Sequence, residues 1–177
     1  MDLRIRKEEF NDFKAVFTLV EEAFKEKEYS DHTEQFLVER LRSSDTFIPE
    51  LSLVAEVHGK LVGHILLTKI KVKNDFEEFK SLAMAPVSVL PKFQGQGIGG
   101  KLILKAHNTA KKLGYESIIL LGHKEYYSKF GYQQLDGFQI SLPFDVPKEN
   151  CMALELVKNA LFKVNGVVEY PKAFFDG

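Results

Sequence analysis

The sequence predicts an α/β fold: a central mixed, mostly antiparallel twisted sheet flanked by helices, with one strand bulged and splayed away from its neighbour. Three observations predict it. Residues 51–57 and 61–72 are strand-like runs separated only by His58, Gly59 and Lys60, the spacing of an antiparallel hairpin. A strand, glycine loop, helix, strand unit spans residues 82–121, and its two strands must pair in parallel through a crossover. Pro86 sits inside the first strand of that unit, where a residue with no N–H belongs to an edge or a bulge.

Length and charge narrow the function classes. With 177 residues the chain fits a single domain, 1–177, with a sizeable core. Lys and Arg together number 24 against 25 for Asp and Glu, so no overall field favours nucleic acid or an anionic membrane, and any anion site must be local. Cys151 is the single cysteine, which excludes an intrachain disulfide and a multi-cysteine metal site, and no metal is expected. No apolar signal core follows the mixed charges of residues 1–10, and no run approaches the ~20 apolar residues of a membrane span. The expectation is a soluble cytoplasmic protein.

Each element has its own local signal. Residues 3–6 alternate apolar and charged side chains and predict a first strand; Phe13, Val16, Phe17, Val20 and Phe24 then recur at helical spacing. Asp31 and Glu34 have capping-box spacing ahead of a second helix over 33–43, with a polar loop over 25–32 between the two. The hairpin follows, then a charged connection over 74–80 and the proline-containing strand over 82–90. Leu102, Ile103, Ala106 and Ala110 mark a helix stopped by Gly114, and residues 117–121 form a buried strand. Residues 125–130 predict a short helix ended by Gly131, and 138–142, 152–156 and 167–170 are further strands. Phe10, Phe13, Phe17, Phe24, Phe36 and Phe47 read as core and groove lining. Phe174 and Phe175 suggest a tail docked on the domain or on a second subunit, as in a homodimer.

The organising stretch is 87–102, with four glycines between Gly95 and Gly100. Glycines let a ligand approach the backbone, and a following helix offers free N–H groups and a positive dipole end to an anion. Gly95, Gly97 and Gly100 satisfy the dinucleotide pattern G-x-G-x-x-G, but the next strand ends in Leu121, Gly122 and His123 with no acid to hold a ribose. Gly95, Gly100 and Lys101 match a triphosphate loop except that Leu102 stands where a Ser or Thr would hold magnesium. Glycines that serve only a tight turn are the plainer alternative.

A third pattern reads Gln94, two residues, Gly97, one residue, Gly99, after a strand and before a helix. It resembles the pyrophosphate-binding motif of the GCN5-related N-acetyltransferase (GNAT) superfamily. The hairpin before it, Val87-Ser88-Val89, and Tyr126-Tyr127-Ser128-Lys129-Phe130-Gly131-Tyr132 downstream fall in family order, so the likeness runs from Leu3 to Tyr132. The runs from Ile48 to Glu56 and from Phe144 to Pro147 look like an uncharacterised bacterial branch of the superfamily.

The resemblance implies a GNAT-like fold and an acetyl-CoA-dependent N-acetyltransferase acting on a primary amine of a small molecule or peptide. It places the cofactor's pyrophosphate on Gln94, Gly95, Gln96, Gly97, Ile98, Gly99 and Gly100 and its pantetheine arm beside Val87, Ser88 and Val89. It assigns the amide of Val89 to the thioester carbonyl and Tyr127 to the general acid. His123 is the base candidate, with Glu56 and His64 as alternatives and Glu50 as a contact for the substrate ammonium. An acyl-CoA-binding sensor or assembly module without efficient catalysis is the competing function.

Overall fold

The structure, a computed structural model, describes residues 1–176. It runs β1 (Leu3–Lys7), α1 (Phe13–Phe24), α2 (Glu34–Arg42), β2 (Phe47–Val57), β3 (Lys60–Lys73) and β4 (Glu78–Val89). Next come α3 (Ile98–Lys112), β5 (Ser117–Leu121), α4 (Lys124–Tyr127), β6 (Gln133–Gln134), β7 (Gln139–Ser141), β8 (Cys151–Glu155) and β9 (Asn165–Glu169). The strands lie in the order β1-β2-β3-β4-β5-β8-β6, with β9 on β3 and β7 on β9. The pairs are antiparallel except β4 with β5 and β7 with β9, so the expected mixed, mostly antiparallel sheet is present.

Turn chemistry explains the hairpin. His58 and Gly59 both take positive φ, 48° and 75°, the backbone hand that suits a two-residue connection between twisted strands. Helix α1 buries Val16, Leu19, Val20 and Ala23 on one stripe, and α3 buries Ile98, Leu102, Ile103, Ala106 and Ala110. These helices and α2 pack on the central strands in one core cluster. A second cluster gathers Ile70, Val72, Ala83, Ile119, Ala153 and Val168 around the C-terminal third. Along β5, Ile118 and Leu120 join the first cluster and Ile119 the second, as strand alternation requires of a sheet covered on both faces.

Pro86 does interrupt the ladder. Ile65 of β3 faces Val87 of β4 while Leu67 faces Met84, so the register shifts across Ala85 and Pro86. On the other side β4 meets β5 only at Leu82 with Ile118 and Ala83 with Ile119. Past those two pairs the parallel strands separate at their carboxyl ends.

Several local expectations change. Thr33, not Asp31, occupies the residue before α2; Asp31 accepts the Thr33 N–H at 3.0 Å and its hydroxyl at 2.7 Å, a turn rather than a capping box. Phe10 and Phe36 face solvent: Phe10 lies in a 3-10 turn ahead of α1, and the buried stripe of α2 passes through Gln35, Val38 and Leu41. The β6 strand went unforeseen; its two residues are too short to carry a periodic signal. The tail docks on the same chain: Ala173 is buried, Arg40 Nε donates to its carbonyl at 3.0 Å, and Phe174 packs edge-on to Tyr170.

Candidate functional site

The separation of β4 from β5 opens a cleft of about 470 Å³. Its walls are Met84 to Val87 of β4, Leu121 to His123 at the end of β5, and Tyr127 of α4. Phe24, Tyr29, Glu34 and Leu37 close it from the α1–α2 side, and Val146, Pro147 and Asn150 from the C-terminal third. A crevice beyond the carboxyl ends of parallel strands is the ordinary place for a ligand in such sheets.

At the N-terminus of α3 the glycines leave the backbone open, with nothing within 4 Å of where a Cβ would stand on Gly95 or Gly97. Gly95 and Gly97 take φ of 75° and 79°, and Gly97 ends in the left-handed region as the residue before Ile98. Its carbonyl already accepts the Lys101 N–H at 3.1 Å, yet it has no side chain to cap the helix and no acid stands in the first turn. The N–H groups of Ile98, Gly99 and Gly100 precede the first intrahelical donor and are left for an anion. A Cβ on Gly99 would lie 3.0 Å from the Tyr126 hydroxyl, and one on Gly100 3.3 Å from the Phe130 ring, so these glycines let α3 and the α4 region approach closely. The residues therefore fit a pyrophosphate. Gln94 braces the loop from below, its Nε2 donating to the Val89 carbonyl at 2.9 Å, and Gln96 Nε2 donates to the Lys92 carbonyl at 3.2 Å.

The remaining predicted residues separate into two groups. Val87, His123 and Tyr127 share the cleft, with Val89 two residues further along β4. Tyr127 is positioned by a glycine: a Cβ on Gly122 would overlap its ring. Burial, with smaller contributions from Tyr126 and Tyr29, pushes the Tyr127 phenol well above its ordinary value, so it stays protonated. His123 lies exposed at the rim, edge-on to Tyr29 with ring centroids 5.3 Å apart.

Ser88 points into the protein instead, 1% exposed and in register with His64, so only its backbone can meet a ligand. His64 is wholly buried, bonded to Ser52 Oγ at 3.1 Å and held near pKa about 4 mainly by desolvation, beyond the reach of any substrate. Glu56 is paired with Arg6 at 3.2 Å, and exposed Glu50 lies 4.0 Å from Lys7. Neither lines the cleft.

Among the polar residues of the cleft, Tyr29, Glu34 and Asn150 carry no sequence signal for a ligand. Tyr29 sits in a polar loop with no motif, and the spacing of Glu34 from Asp31 fits a helix start. Among the described residues no group of three or more His, Cys, Asp or Glu could hold a metal ion.

The Acetyltransferase (GNAT) domain family matches residues 49–134, the stretch from β2 through the glycine loop to β6. A GNAT family acetyltransferase from Brucella melitensis, solved in complex with acetyl-CoA, is 31% identical with a TM-score of 0.80, covering 97% of this chain and 97% of that one. This chain belongs to the GNAT acetyltransferase family.

GNAT relatives cover the C-terminal third as well. YhbS of Escherichia coli, a GNAT family N-acetyltransferase solved in complex with CoA, superposes with a TM-score of 0.87 at 25% identity over 98% of this chain and 92% of that one. The uncharacterized N-acetyltransferase YjhQ of Escherichia coli K12 is 34% identical over 115 residues, and the match spans 64% of each chain. As a GNAT acetyltransferase, the chain has its glycine loop and its β4–β5 cleft within the stretch that matches the family.

Proposed function

We propose that this protein transfers an acetyl group from acetyl-CoA to a primary amine of a small molecule or peptide. One observation carries the reading: the uncapped, glycine-lined start of α3 lies against Val89 and Tyr126, beside Val87 and Tyr127 of the cleft opened by the β4 bulge. Both features are needed to hold a pyrophosphate at one end of a ligand and its reactive group at the other. Hollows of comparable size lie elsewhere, one beside Lys69 and Tyr115 and one beside Leu142 and Phe144, and neither includes Val87, His123 or Tyr127, which all line the cleft.

Acetyl-CoA, when bound, supplies an activated thioester. The chain's own residues bind, orient and protonate. The N–H groups of Ile98, Gly99 and Gly100 hold the pyrophosphate, with Gly95 and Gly97 bending the loop around it and Gln94 and Gln96 bracing it. The backbone of Val87, Ser88 and Val89 presents groups that β5 leaves unpaired to the amide-bearing arm, and the Val89 amide donates to the thioester carbonyl. Tyr127 keeps its proton across the working pH range and donates it to the departing sulfur. A phenol held above ~10 is a weak acid toward a thiol near ~8.5, so the transfer is completed by the proton that the attacking nitrogen releases. His123 at the rim accepts the extra proton that an ammonium acceptor sheds before attack and passes it to solvent, which leaves the neutral nitrogen one proton for the departing sulfur.

Tyr127→Phe tests the assignment. Turnover, read as thiol release, should fall by about 10²- to 10⁴-fold while acetyl-CoA still raises the melting temperature. Retained turnover would remove Tyr127 from the chemistry. Stabilisation by acetyl-CoA without turnover on any amine of a broad panel, wild type included, would favour a binding module.

A further inference from the structure

The acceptor side of the cleft contains a carboxylate with one oxygen that no described residue answers. Glu34 Oε1 accepts a hydrogen bond from Ser30 Oγ, but Oε2 is buried and has no hydrogen-bond partner among the described residues. The ion pairs of the described residues leave Glu34 out as well. A half-satisfied carboxylate sheltered from water is costly unless a cation reaches it.

Its surroundings say what kind of cation fits. Phe24, Tyr29 and Tyr127 line the same cleft, and His123 stands edge-on to Tyr29. Burial, and then the charge of Glu34, push the Tyr29 phenol up, so the ring next to the carboxylate is neutral. Neutral aromatic faces around one carboxylate suit an alkyl ammonium, which offers three donors on a compact charge. They do not suit an anion.

A route to that position exists. A groove of about 590 Å³ between α2, its preceding loop and the C-terminal tail shares Tyr29, Glu34 and Leu37 with the cleft. The other charged groups of the groove are engaged: Asp31 with Thr33, and Arg40 with the Ala173 carbonyl at 3.0 Å. Glu34 stands where the two spaces meet.

We infer that Glu34 binds the ammonium of the acceptor, which makes the acceptor a cationic alkyl amine. The inference rests on the acetyltransferase reading of the same cleft. Glu34 determines which amine enters; it is not required for holding the acyl donor. The same chemistry is presented by a free alkyl amine and by a lysine side chain.

The test compares three acceptors with wild type, Glu34→Gln and Glu34→Asp: a linear alkyl diamine, a short lysine peptide, and an arylamine that is neutral at pH 7. Glu34→Gln should lower kcat/KM for the cationic acceptors by about 10- to 100-fold, mainly through KM, with Glu34→Asp recovering part of it. Selectivity for the cationic acceptor over the arylamine should fall by the same factor. The better of the diamine and the peptide identifies the source of the ammonium. Unchanged selectivity in Glu34→Gln, or an equal loss on all three acceptors, overturns the inference. A thermal shift with acetyl-CoA accompanies each variant. Wild type that acetylates only the arylamine sinks this inference alone, whereas wild type that acetyl-CoA does not stabilise sinks the acetyltransferase reading beneath it.

Discussion

Gly122 governs where the Tyr127 ring can lie, because any Cβ at that position would overlap the ring. The backbone of Gly122 does not need positive φ, so alanine is acceptable to the chain and the penalty falls on Tyr127. Gly122→Ala should therefore lower kcat by about tenfold or more through misplacement of Tyr127, with the melting temperature shifted by only a few degrees. Steady-state kinetics beside a thermal melt checks this, and an unchanged kcat would detach the ring's position from turnover. At this scale legibility was uneven. Tyr127 could be found from its motif, since Gly131 follows it at a fixed interval. Glu34 could not, because Asp and Glu near a helix start serve turns and caps far more often than ligands, and the Asp31–Thr33 turn beside it is one such use.

Among the elements, β9 depends most on one residue. Gly166 has φ of 132°, and a Cβ there would strike the Lys73 carbonyl on β3, where Lys73 pairs with Val167. Gly166→Ala should destabilise the fold by on the order of 2 kcal/mol or more, from backbone strain plus the forced opening of that pairing. Urea unfolding measures it, and a change below about 0.5 kcal/mol would mean that the strand end relaxes freely. The hairpin and the strand, loop, helix, strand unit were legible because their signals are local: a two-residue turn, a run of glycines, a 3.6-residue period. The pairing of β9 with β3 and of β7 with β9 was not. Those partners lie far apart in sequence, and the strands are five and three residues long, too short to show which neighbour they choose.

For the whole molecule, two buried imidazoles link stability to acid. His64 and His107 are both held near pKa about 4, chiefly by desolvation, against an ordinary value of 6.5. Between about pH 4 and 6.5 the unfolded chain binds protons that the folded chain refuses, so stability rises with pH across that window and is lost as pH falls through it. Each histidine should contribute a slope of up to about 1.4 kcal/mol per pH unit there. His107 bonds the Tyr132 hydroxyl at 2.8 Å, an uncharged partner, so His107→Gln should flatten the slope by about one such increment even as it lowers stability at pH 7. Denaturant unfolding at pH 7 and pH 5 for both proteins decides it, and equal slopes would refute the assignment.

The sequence by itself determined the alternation of elements, the hairpin, the bulge at Pro86 and the glycine-lined helix start, and through its likeness to a family it pointed to the acyl donor. Each depends on residues close together in the chain, where turn geometry and hydrophobic period act directly. Only the tertiary structure decided that β4 leaves β5 after two residue pairs, that His64 is sealed inside and Glu56 is tied to Arg6, and that Glu34 faces the cleft. Those outcomes depend on which apolar surfaces meet across distant segments, and a side chain's neighbours there are chosen by packing rather than by its place in the sequence.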